Sequence, residues 1–485
     1  MNKSLKYTTI AALATLAAST IPAYAEKLYL DYTRTSSGST QDITVPSIYI
    51  PEVTEITASD DLDLTYTVEG GTVFKTTKDF TVNDVTVSAS TSDQGYKHYF
   101  LFISQDTITT FNSLNYTLKT EVENPETRIA IGENSTFNVT KNITYMATAA
   151  QGEINFFFTG NATSSLNVGG NIELLAPASA TTNLNLKFCS YDVKIGGVIK
   201  LNNDASMKRI QLNDEDTEKT YNRSFGGLSV NNGGQLRVEG TANNTVNLTF
   251  TNSTEESYSG YLMAKADSTG NKFNILMNAT TTAGKQTLRF LDATGKTFDK
   301  VTYNNAAIDN VSVLNGTLSL GMNSEMSANK LVVNGEKAVF DITSADGASE
   351  IGRVTFDSFE GKKGAIVFDL TKSKDFLDIK STANVSSDFE FIVNMTKTDF
   401  DSLLGEGETS LQYNIISFKT EGSSFDATTV ICKDSSLKGK INLINNNNAG
   451  KTSVMLTITA VPEPATVAAI LGAITLAFAA YRRRK

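Results

Sequence analysis

Apolar and polar residues alternate along most of the chain. In the segment NLNLKF, Leu184, Leu186 and Phe188 alternate with asparagine and lysine, and the segments TVNLTF and KFNILMN repeat this period of two. Such a period buries one face of a strand and leaves the other face in solvent. Only the segment TDFDSLLGEG, around Phe400 to Leu404, indicates a helix in the body of the chain. The pattern therefore predicts an all-β body.

The apolar residues also come in doublets, with two apolar-x-apolar pairs separated by a short polar gap. The two pairs begin six residues apart in one doublet (Phe137 to Ile143) and nine apart in another (Leu331 to Phe340), so no exact repeat emerges. No proline lies between Ala178 and Val461. Because proline lacks the N–H that a β-ladder needs, this tract suits continuous sheet.

Two all-β architectures fit these patterns. The favoured prediction is a right-handed parallel β-helix, a solenoid whose short strands stack into rungs. The alternative is a series of antiparallel β-sandwich domains. The glycine-containing segments NVGGN, KIGGV and VNNGGQL fit the corners of a solenoid or the turns of hairpins.

The spacing of prolines and doublets divides the body into predicted regions. Residues 26–125 hold three prolines and long polar gaps, and are interpreted as an N-terminal β cap region. Doublets dominate residues 126–370, the predicted β-helix-like body. Longer spacers in residues 371–460 indicate a C-terminal β cap region.

The N-terminus has the three parts of an export signal in order. Lys3 and Lys6 precede the apolar run 10–18, and Ala23 and Ala25 form a small-x-small cleavage site. Residues 1–25 are therefore predicted to be a helical signal peptide, and the mature chain to begin at Glu26. The partners that this implies are signal peptidase and the general export machinery.

The C-terminus carries a second, different signal in residues 461–485. Val461, Pro462, Glu463 and Pro464 precede an apolar run, and the chain ends in Arg482, Arg483, Arg484 and Lys485. A helix of roughly 17 residues is at the short end of what spans a bilayer. The prolines stop it from extending backward, and the basic end favours the cytoplasmic side. A transmembrane helix is predicted here.

This tail resembles the PEP-CTERM sorting signal of bacterial exported proteins, over about 25 residues. The resemblance implies a processing partner, an exosortase-type membrane transpeptidase that recognises the Pro-Glu-Pro region. It also implies a transient inner-membrane anchor, followed by release to the cell surface or the extracellular space. A permanent anchor that is never processed is the alternative. The middle of the chain is rich in asparagine, threonine and glycine, and in this composition it resembles the β-solenoid passengers of autotransporter-type surface proteins, without a diagnostic motif.

Composition narrows the chemistry that the body can carry. A net charge of −10 without a basic stripe argues against nucleic-acid binding. His98 is the only histidine, which excludes zinc sites built on several histidines. The absence of tryptophan weakens a sugar-stacking platform. Export would permit a disulfide between Cys189 and Cys432, and two separate buried thiols are the alternative.

Two acidic clusters are the remaining candidates for chemistry. One comprises Asp60, Asp61 and Asp63, and the other comprises Asp214, Glu215, Asp216 and Glu218. Paired carboxylates serve glycoside hydrolysis, and several oxygens serve calcium. Both clusters are interpreted first as solvated loops. The sequence therefore assigns no catalytic residue, no cofactor-binding residue and no metal ligand.

The function expected from these signals is that of a non-enzymatic protein of the cell surface or extracellular matrix, with a structural or adhesive role. Extracellular polysaccharide is a candidate partner. The alternative is a polysaccharide-active β-helix enzyme, a lyase or a hydrolase, or a glycan-binding surface protein. Asn-x-Ser/Thr triplets such as those at Asn138 and Asn247 arise by chance in a chain so rich in asparagine and threonine.

Overall fold

The structure is a computed structural model. It describes residues 27–33, 63–69, 74–76, 79–461, 471 and 473–476. Within the long range, the gaps are 92–96, 121–123, 149–151, 161–162, 176–182, 191, 202–206, 215–217, 241–242, 269, 299, 322–325, 343–353, 372–376 and 447–449. The predicted signal peptide, with Ala23 and Ala25, lies outside the described residues, and so does Glu26, the predicted first residue of the mature chain. Pro462–Pro464 and Arg482–Arg484 of the predicted sorting signal also lie outside them.

The described body up to Val461 is all-β, with 33 strands and one short helix. The first strands are β1 (Lys27–Thr33), β2 (Asp63–Glu69), β3 (Phe74–Thr76), β4 (Phe80–Thr91), β5 (Lys97–Ile103), β6 (Ile108–Thr120), β7 (Glu126–Ile131), β8 (Thr136–Val139), β9 (Ile143–Thr148), β10 (Glu153–Thr159) and β11 (Ser165–Val168). The next are β12 (Ile172–Leu175), β13 (Asn183–Phe188), β14 (Asp192–Leu201), β15 (Met207–Gln211), β16 (Thr220–Val238), β17 (Thr245–Phe250), β18 (Glu255–Lys265), β19 (Lys272–Asn278), β20 (Lys285–Leu291), β21 (Lys296–Phe298) and β22 (Val301–Asn305). The last are β23 (Ile308–Leu320), β24 (Met326–Asp341), β25 (Val354–Asp369), β26 (Leu377–Ile379), β27 (Ala383–Val385), β28 (Phe389–Asn394), α1 (Lys397–Leu403), β29 (Ser410–Lys419), β30 (Ser424–Phe425), β31 (Thr429–Cys432), β32 (Leu437–Asn446) and β33 (Lys451–Ala460).

The chain divides into two compact units. The first contains the described residues up to Asn252, together with Glu256–Phe273 and Ala293–Ala306. The second contains Ser253–Glu255, Asn274–Asp292 and the described residues from Ala307 onward. Each unit is a parallel β-solenoid.

Unit 1 has three parallel sheets. Sheet A contains β8, β11, β17 and the leading parts of β4, β6, β14 and β16. Sheet B contains β1, β2, β9, β12 and later parts of β4, β6, β14 and β16. Sheet C contains β3, β5, β7, β10, β13, β15, the end of β16 and most of β18. One turn of this solenoid passes through all three sheets.

Apolar alternation explains why these strands stack. Phe137, Leu166 and Val193 lie beside one another in neighbouring strands of sheet A, and all three are buried. Aromatic rings continue such stacking inside the unit. The Tyr116 and Tyr145 ring centroids are 5.3 Å apart, and those of Tyr145 and Phe156 are 4.6 Å apart. Burying alternate apolar residues turn after turn provides the main stabilisation of the unit.

Glycines shape the corner between sheets A and B. A Cβ added at Gly169 would lie 2.2 Å from the backbone oxygen of Thr140, and one added at Gly196 would lie 2.5 Å from the backbone oxygen of Gly169. Backbone packs on backbone here, so a side chain has no room. The segments NVGGN and KIGGV are therefore corners of a solenoid rather than hairpin turns.

Unit 2 has two parallel sheets. Sheet D contains the leading parts of β23, β24 and β25, then β26 and β27, followed by part of β29 and β30. Sheet E contains β20, the later parts of β23, β24 and β25, and then β28 and β31. Helix α1 follows β28, and the side chains of Thr396 and Asp399 cap its first turn reciprocally. The helix buries Phe400.

Antiparallel pairing occurs at one place in each unit. In unit 1, β22 pairs with both β21 and β18. In unit 2, β33 lies between β29 and β32 in an antiparallel meander. The favoured parallel solenoid is thus confirmed, and the predicted helix around Phe400 is present. No helix among the described residues combines the length and the apolar character needed to cross a bilayer.

Candidate functional site

The outward face of sheet A carries a ladder of side-chain amides, formed by two rows of hydrogen bonds that we call the amide ladder. In the first row, Asn138 Nδ2 donates to Thr110 Oγ1 at 3.3 Å, and Asn167 Nδ2 donates to Asn138 Oδ1 at 3.0 Å. In the second row, Asn222 donates to Asp192 Oδ1 and Asn247 donates to Asn222 Oδ1, both at 2.9 Å. The partners in each bond come from neighbouring turns, 25 to 30 residues apart in the chain.

The ladder leaves hydrogen-bonding capacity directed outward. A side-chain amide has two N–H donors and an oxygen that accepts two hydrogen bonds. Asn138 donates once and accepts once within its row, so its side chain retains one donor and one acceptor position. Neighbouring strands are about 4.8 Å apart. The outward face of sheet A therefore offers hydrogen-bond donors and acceptors at intervals that match the spacing of its strands.

Small neutral side chains occupy most other outward positions of this face. Ladder pairing places Thr136 beside Ser165, and Ser224 beside Thr249. Lys194 is exposed between Asn167 and Ser224. In unit 2, Asn310 donates to Asn274 Oδ1 at 3.0 Å and Asn329 donates to Asp309 Oδ1 at 2.8 Å, so the same chemistry recurs there. The resulting surface is polar and nearly uncharged.

The outward face of sheet C in unit 1 has a different chemistry, with charged side chains that are buried. Its outward-directed positions include Asn155, Asn185, Arg209, Gln235 and Arg237, all of them buried, with Glu239 buried just beyond the end of β16. We call these six residues, with Glu153, Lys265 and Tyr303, the charged cluster. A buried charge is costly unless it is paired and hydrogen-bonded, so the partners of these groups decide what the cluster can do.

Hydrogen bonds and a ring contact fix the position of the Arg237 guanidinium. Its Nε and Nη2 donate to Gln235 Oε1 at 2.9 and 2.6 Å, and its Nη1 donates to Tyr303 Oη at 2.8 Å. The guanidinium carbon also lies 4.6 Å from the centroid of the Tyr303 ring. Tyr303 belongs to β22, so the β21–β22 hairpin covers this end of sheet C.

Glu239 supplies the negative charge at this end of the cluster. Its Oε1 accepts from Tyr303 Oη at 3.3 Å and lies 4.0 Å from Arg237 Nη1, and its Oε2 lies 3.3 Å from Lys265 Nζ. Burial and, next, the nearby Glu239 carboxylate raise the pKa of Tyr303 to about 12. The phenol therefore stays protonated at neutral pH and can donate to Glu239.

A second pair lies further along sheet C. Arg209 Nη1 is 2.5 Å from Glu153 Oε1, and Asn185 donates to Asn155 Oδ1 at 2.8 Å. Arg209 lies beside Asn185 on one side and beside Gln235 on the other. The cluster is thus a set of ion pairs and amides across five strands of sheet C (β10, β13, β15, β16 and β18), with Tyr303 of β22 at one end.

Two more cations lie inside unit 1. Arg223 faces the interior of sheet A, and its guanidinium donates to the backbone oxygens of Leu212, Asn222 and Phe188 at 2.6, 3.0 and 3.2 Å. Lys208 Nζ donates to the backbone oxygen of Asn231 at 2.9 Å. Burial lowers the pKa of Arg223. Backbone carbonyls satisfy these donors, which indicates a structural role.

The structure places some of the sequence-predicted acidic residues. Asp63 begins β2, and Asp214 Oδ1 lies 3.1 Å from Lys187 Nζ. Glu218 has a positive φ of 59°, as a turn residue would. Asp60, Asp61, Glu215 and Asp216 lie outside the described residues. Within the described part of the chain, no group of three or more histidine, cysteine or acidic residues is placed to hold a metal ion.

Neither cysteine belongs to the charged cluster. His98 lies in β5. Cys189 and Cys432 are both free thiols, the first buried and the second half-buried, so the disulfide that export would permit is not formed and the two thiols are separate. Burial, as the largest cause, raises the pKa of both thiols, to about 12 for Cys189. Neither thiol is therefore activated as a nucleophile.

Of the predicted sorting signal, Val461 is described. Its backbone N–H donates to the backbone oxygen of Ser436 at 2.7 Å, directly after β33 ends at Ala460. Leu471 and residues 473–476 are helical, and Leu471, Ile474 and Leu476 are exposed. The described fold of the body therefore reaches Val461.

Sequence reasoning missed the charged cluster. Gln235, Arg237 and Glu239 alternate with Leu236 and Val238, a pattern that indicates a strand with one solvated face. In the structure both faces are buried. The available signal was the concentration of charge in MKRIQ and QLRVEG, two segments that the fold places side by side.

No protein-family model matches the chain, and searches of curated proteins and of solved structures give no match either. The function must therefore be argued from the chemistry of the two surfaces just described.

Proposed function

We propose that the protein is an exported structural or adhesive component of the cell surface or extracellular matrix, without enzymatic activity. The observation that carries this proposal is the amide ladder. A repeated surface of asparagine, threonine and serine can make many weak hydrogen bonds to a polyhydroxylated polymer. Asp192 is the one carboxylate among the described residues of the amide ladder, whereas glycoside hydrolysis uses a pair of carboxylates.

The charged cluster supports the same proposal by its pairing. Each charged residue of the cluster has a close partner: Arg209 has Glu153, Arg237 has Gln235 and Tyr303, and Glu239 has Lys265. Removing one partner of a buried ion pair is strongly destabilising, so these pairs suit a structural role.

The tail belongs to the proposal as a sorting signal. Pro462 directly follows Val461, the last described residue of the body. The backbone N–H of Val461 donates to the backbone oxygen of Ser436, which attaches Val461 to the body. A transpeptidase of the exosortase type could cut after the body without removing a strand. The exposed Leu471, Ile474 and Leu476 of the helical segment suit an apolar environment.

The adhesive role is tested by removing amides from the ladder while keeping strand propensity. Asn138→Thr combined with Asn167→Thr is expected to lower retention of the exported protein in the matrix fraction and its binding to dextran, a neutral polymer. Asn115→Thr, on the outward face of sheet B, is the matched control. Unchanged retention in the double variant would contradict the assignment of adhesion to this face.

The sorting role has a separate test. Replacing Pro462, Glu463 and Pro464 with alanine is expected to leave the tail attached, and the intact mass of the protein recovered outside the cell reports this directly. A wild-type mass that begins at Glu26 and ends near Val461 would support both signals. A wild-type mass that retains Arg482 to Lys485 would contradict processing and favour a permanent anchor.

The second candidate is a polysaccharide-active enzyme, and the charged cluster is the observation that favours it. Glu153, Arg209, Arg237, Glu239 and Tyr303 include groups that could act as acid, base and carboxylate clamp. Incubation with alginate and dextran, followed by assay of new reducing ends, separates the candidates. Activity that Glu239→Gln abolishes, while Asp192→Asn leaves it intact, would establish the enzyme.

A further inference from the structure

The antiparallel meander of unit 2 is basic, although the whole chain is acidic. Its three strands, β29, β33 and β32, contain Lys419, Lys438, Lys440 and Lys451 and no aspartate or glutamate, whereas the chain carries a net charge of −10. A local excess of one sign against the overall balance is typical of a surface that meets a partner of opposite charge.

The register places all four lysines on one face, which we call the basic face. On β33, Val454, Leu456 and Ile458 are buried, so the residues between them point outward. Lys438 and Lys440 of β32 lie opposite two of these outward residues, Thr459 and Thr457. Lys451 itself is exposed at the start of β33, and Lys419 of β29 lies directly opposite it.

This arrangement leaves positive charge uncompensated within the meander. Like charges opposite each other on neighbouring strands are destabilising, and Lys419 and Lys451 form such a pair. Glu421 lies 3.2 Å from Lys419, but both side chains are largely exposed, so solvent screens the pair. An anionic surface would relieve the repulsion.

Aliphatic side chains lie among these lysines. Ile444 of β32 lies opposite the outward-facing Ser453, and so on the basic face, and is 52% exposed. Met455 of β33 also points outward. Exposed aliphatic groups combined with lysines are the composition that binds a bilayer at the level of its headgroups.

We infer that the basic face docks on an anionic lipid bilayer. The inference rests on the proposed tail function, because β33 leads through Ala460 and Val461 into the segment proposed to enter the membrane. The lysines would contact lipid phosphates, and Ile444 would enter the interfacial layer. Docking would hold the body against the membrane until the tail is processed.

The test places an environment-sensitive fluorophore at Ile444→Cys in the full-length chain carrying Cys432→Ser, with Cys189 left buried. The chain is incorporated into lipid nanodiscs that are either purely zwitterionic or contain anionic lipid. Anionic discs are expected to shift the emission to the blue and to protect the label from aqueous iodide, and added salt should reverse both effects. Each Lys→Gln change at 438, 440 or 451 is expected to lower the docked-to-undocked ratio about fivefold.

A label at Asn115→Cys in the Cys432→Ser chain, with Ile444 retained, is the control, and it is expected to be insensitive to lipid charge. Equal iodide quenching at position 444 in both kinds of disc would overturn the inference, as would protection by alginate without any protection by anionic discs, which would identify an acidic polysaccharide as the partner. Hydrogen exchange in β33 verifies that each variant keeps the meander.

Failure of the chain to enter nanodiscs would contradict the proposed tail function instead. The label is then read on the full-length chain mixed with anionic vesicles. A blue shift there would support docking without the tail, and its absence would overturn docking as well.

Discussion

The two units build solenoids from the same apolar alternation, but they close them differently. Unit 1 has a third parallel sheet, sheet C, whose outward face is buried and charged. In unit 2, the described connection from β28 back to β29 holds α1, a helix of seven residues. Alternation thus specifies the paired sheets of both units, whereas the closure of each depends on further side-chain interactions. Specific polar networks make one closure, and a capped helix makes the other.

The largest effect is expected from breaking the charged cluster. Arg237→Leu leaves the buried Gln235 and Tyr303 without their cation and Glu239 with Lys265 alone, and should lower the free energy of unfolding of unit 1 by about 4 kcal/mol. Hydrogen exchange read strand by strand in urea should show the loss in sheet C, with α1 and sheet E unchanged. Lys194→Leu, which replaces an exposed cation of the same unit, is the control. Similar effects of the two variants would mean that the cluster does not hold the closure.

A smaller effect is expected at the glycine corner that unit 1 relies on. Gly196→Ala brings a Cβ to 2.5 Å from the backbone oxygen of Gly169, and relieving this overlap should cost about 3 kcal/mol. The urea midpoint of unit 1 is the measurement. The control is Gly295→Asn, because no atom lies within 4 Å of a Cβ there and asparagine tolerates its φ of 66°. If the urea midpoint of Gly196→Ala equals that of the wild type, the backbone at this corner can move to accommodate a Cβ.

The closure of unit 2 should respond more weakly and locally. Thr396→Ala removes the oxygen that accepts from the Asp399 N–H at 3.1 Å, and should cost about 1 kcal/mol. Exchange should accelerate in α1 while sheet C is unaffected. Thr398→Ala, at an exposed position inside the same helix, should be neutral or slightly stabilising. An equal loss in both variants would assign the effect to something other than the cap.

The smallest effect is expected on the stability of unit 1 at alkaline pH, because Tyr303 of the charged cluster is a titrating group. Because the pKa of Tyr303 is raised from 10 to about 12, its contribution to stability is fully present below pH 10 and is lost as the pH rises toward 12. Unit 1 of the wild type should therefore lose more stability between pH 9 and pH 11 than unit 1 of Tyr303→Phe. Parallel pH curves for the two proteins would contradict this assignment.

Much of the fold could be predicted from the sequence because its determinants are local. The doublet Phe137/Val139 and Ile143/Tyr145 becomes β8 and β9, in sheets A and B, and all four side chains are buried. The polar gap between the two pairs becomes the corner. The helix around Phe400 could be predicted as well, and its cap is encoded three residues apart in the chain.

The charged cluster could not be predicted because its burial is not local. Arg237 meets Tyr303, 66 residues further along the chain, and no periodicity links them. The sequence of the β21–β22 hairpin has few apolar residues and is typical of a polar turn. The sequence also leaves the basic face unnoticed, since Lys419 and Lys451 become neighbours only through strand register. The predicted signal peptide and sorting function stay predictions.

The register of the amide ladder has a consequence for how such a chain can change in length. Asn138 and Asn167 occupy equivalent places one turn apart, 29 residues along the chain. Each turn of a solenoid packs mainly on the turn before and the turn after it. Removing or duplicating one whole turn would therefore restore every pairing at the junction, while a partial deletion would shift apolar residues to the wrong side. The number of turns can therefore change by one during evolution while the buried residues of the remaining turns stay the same.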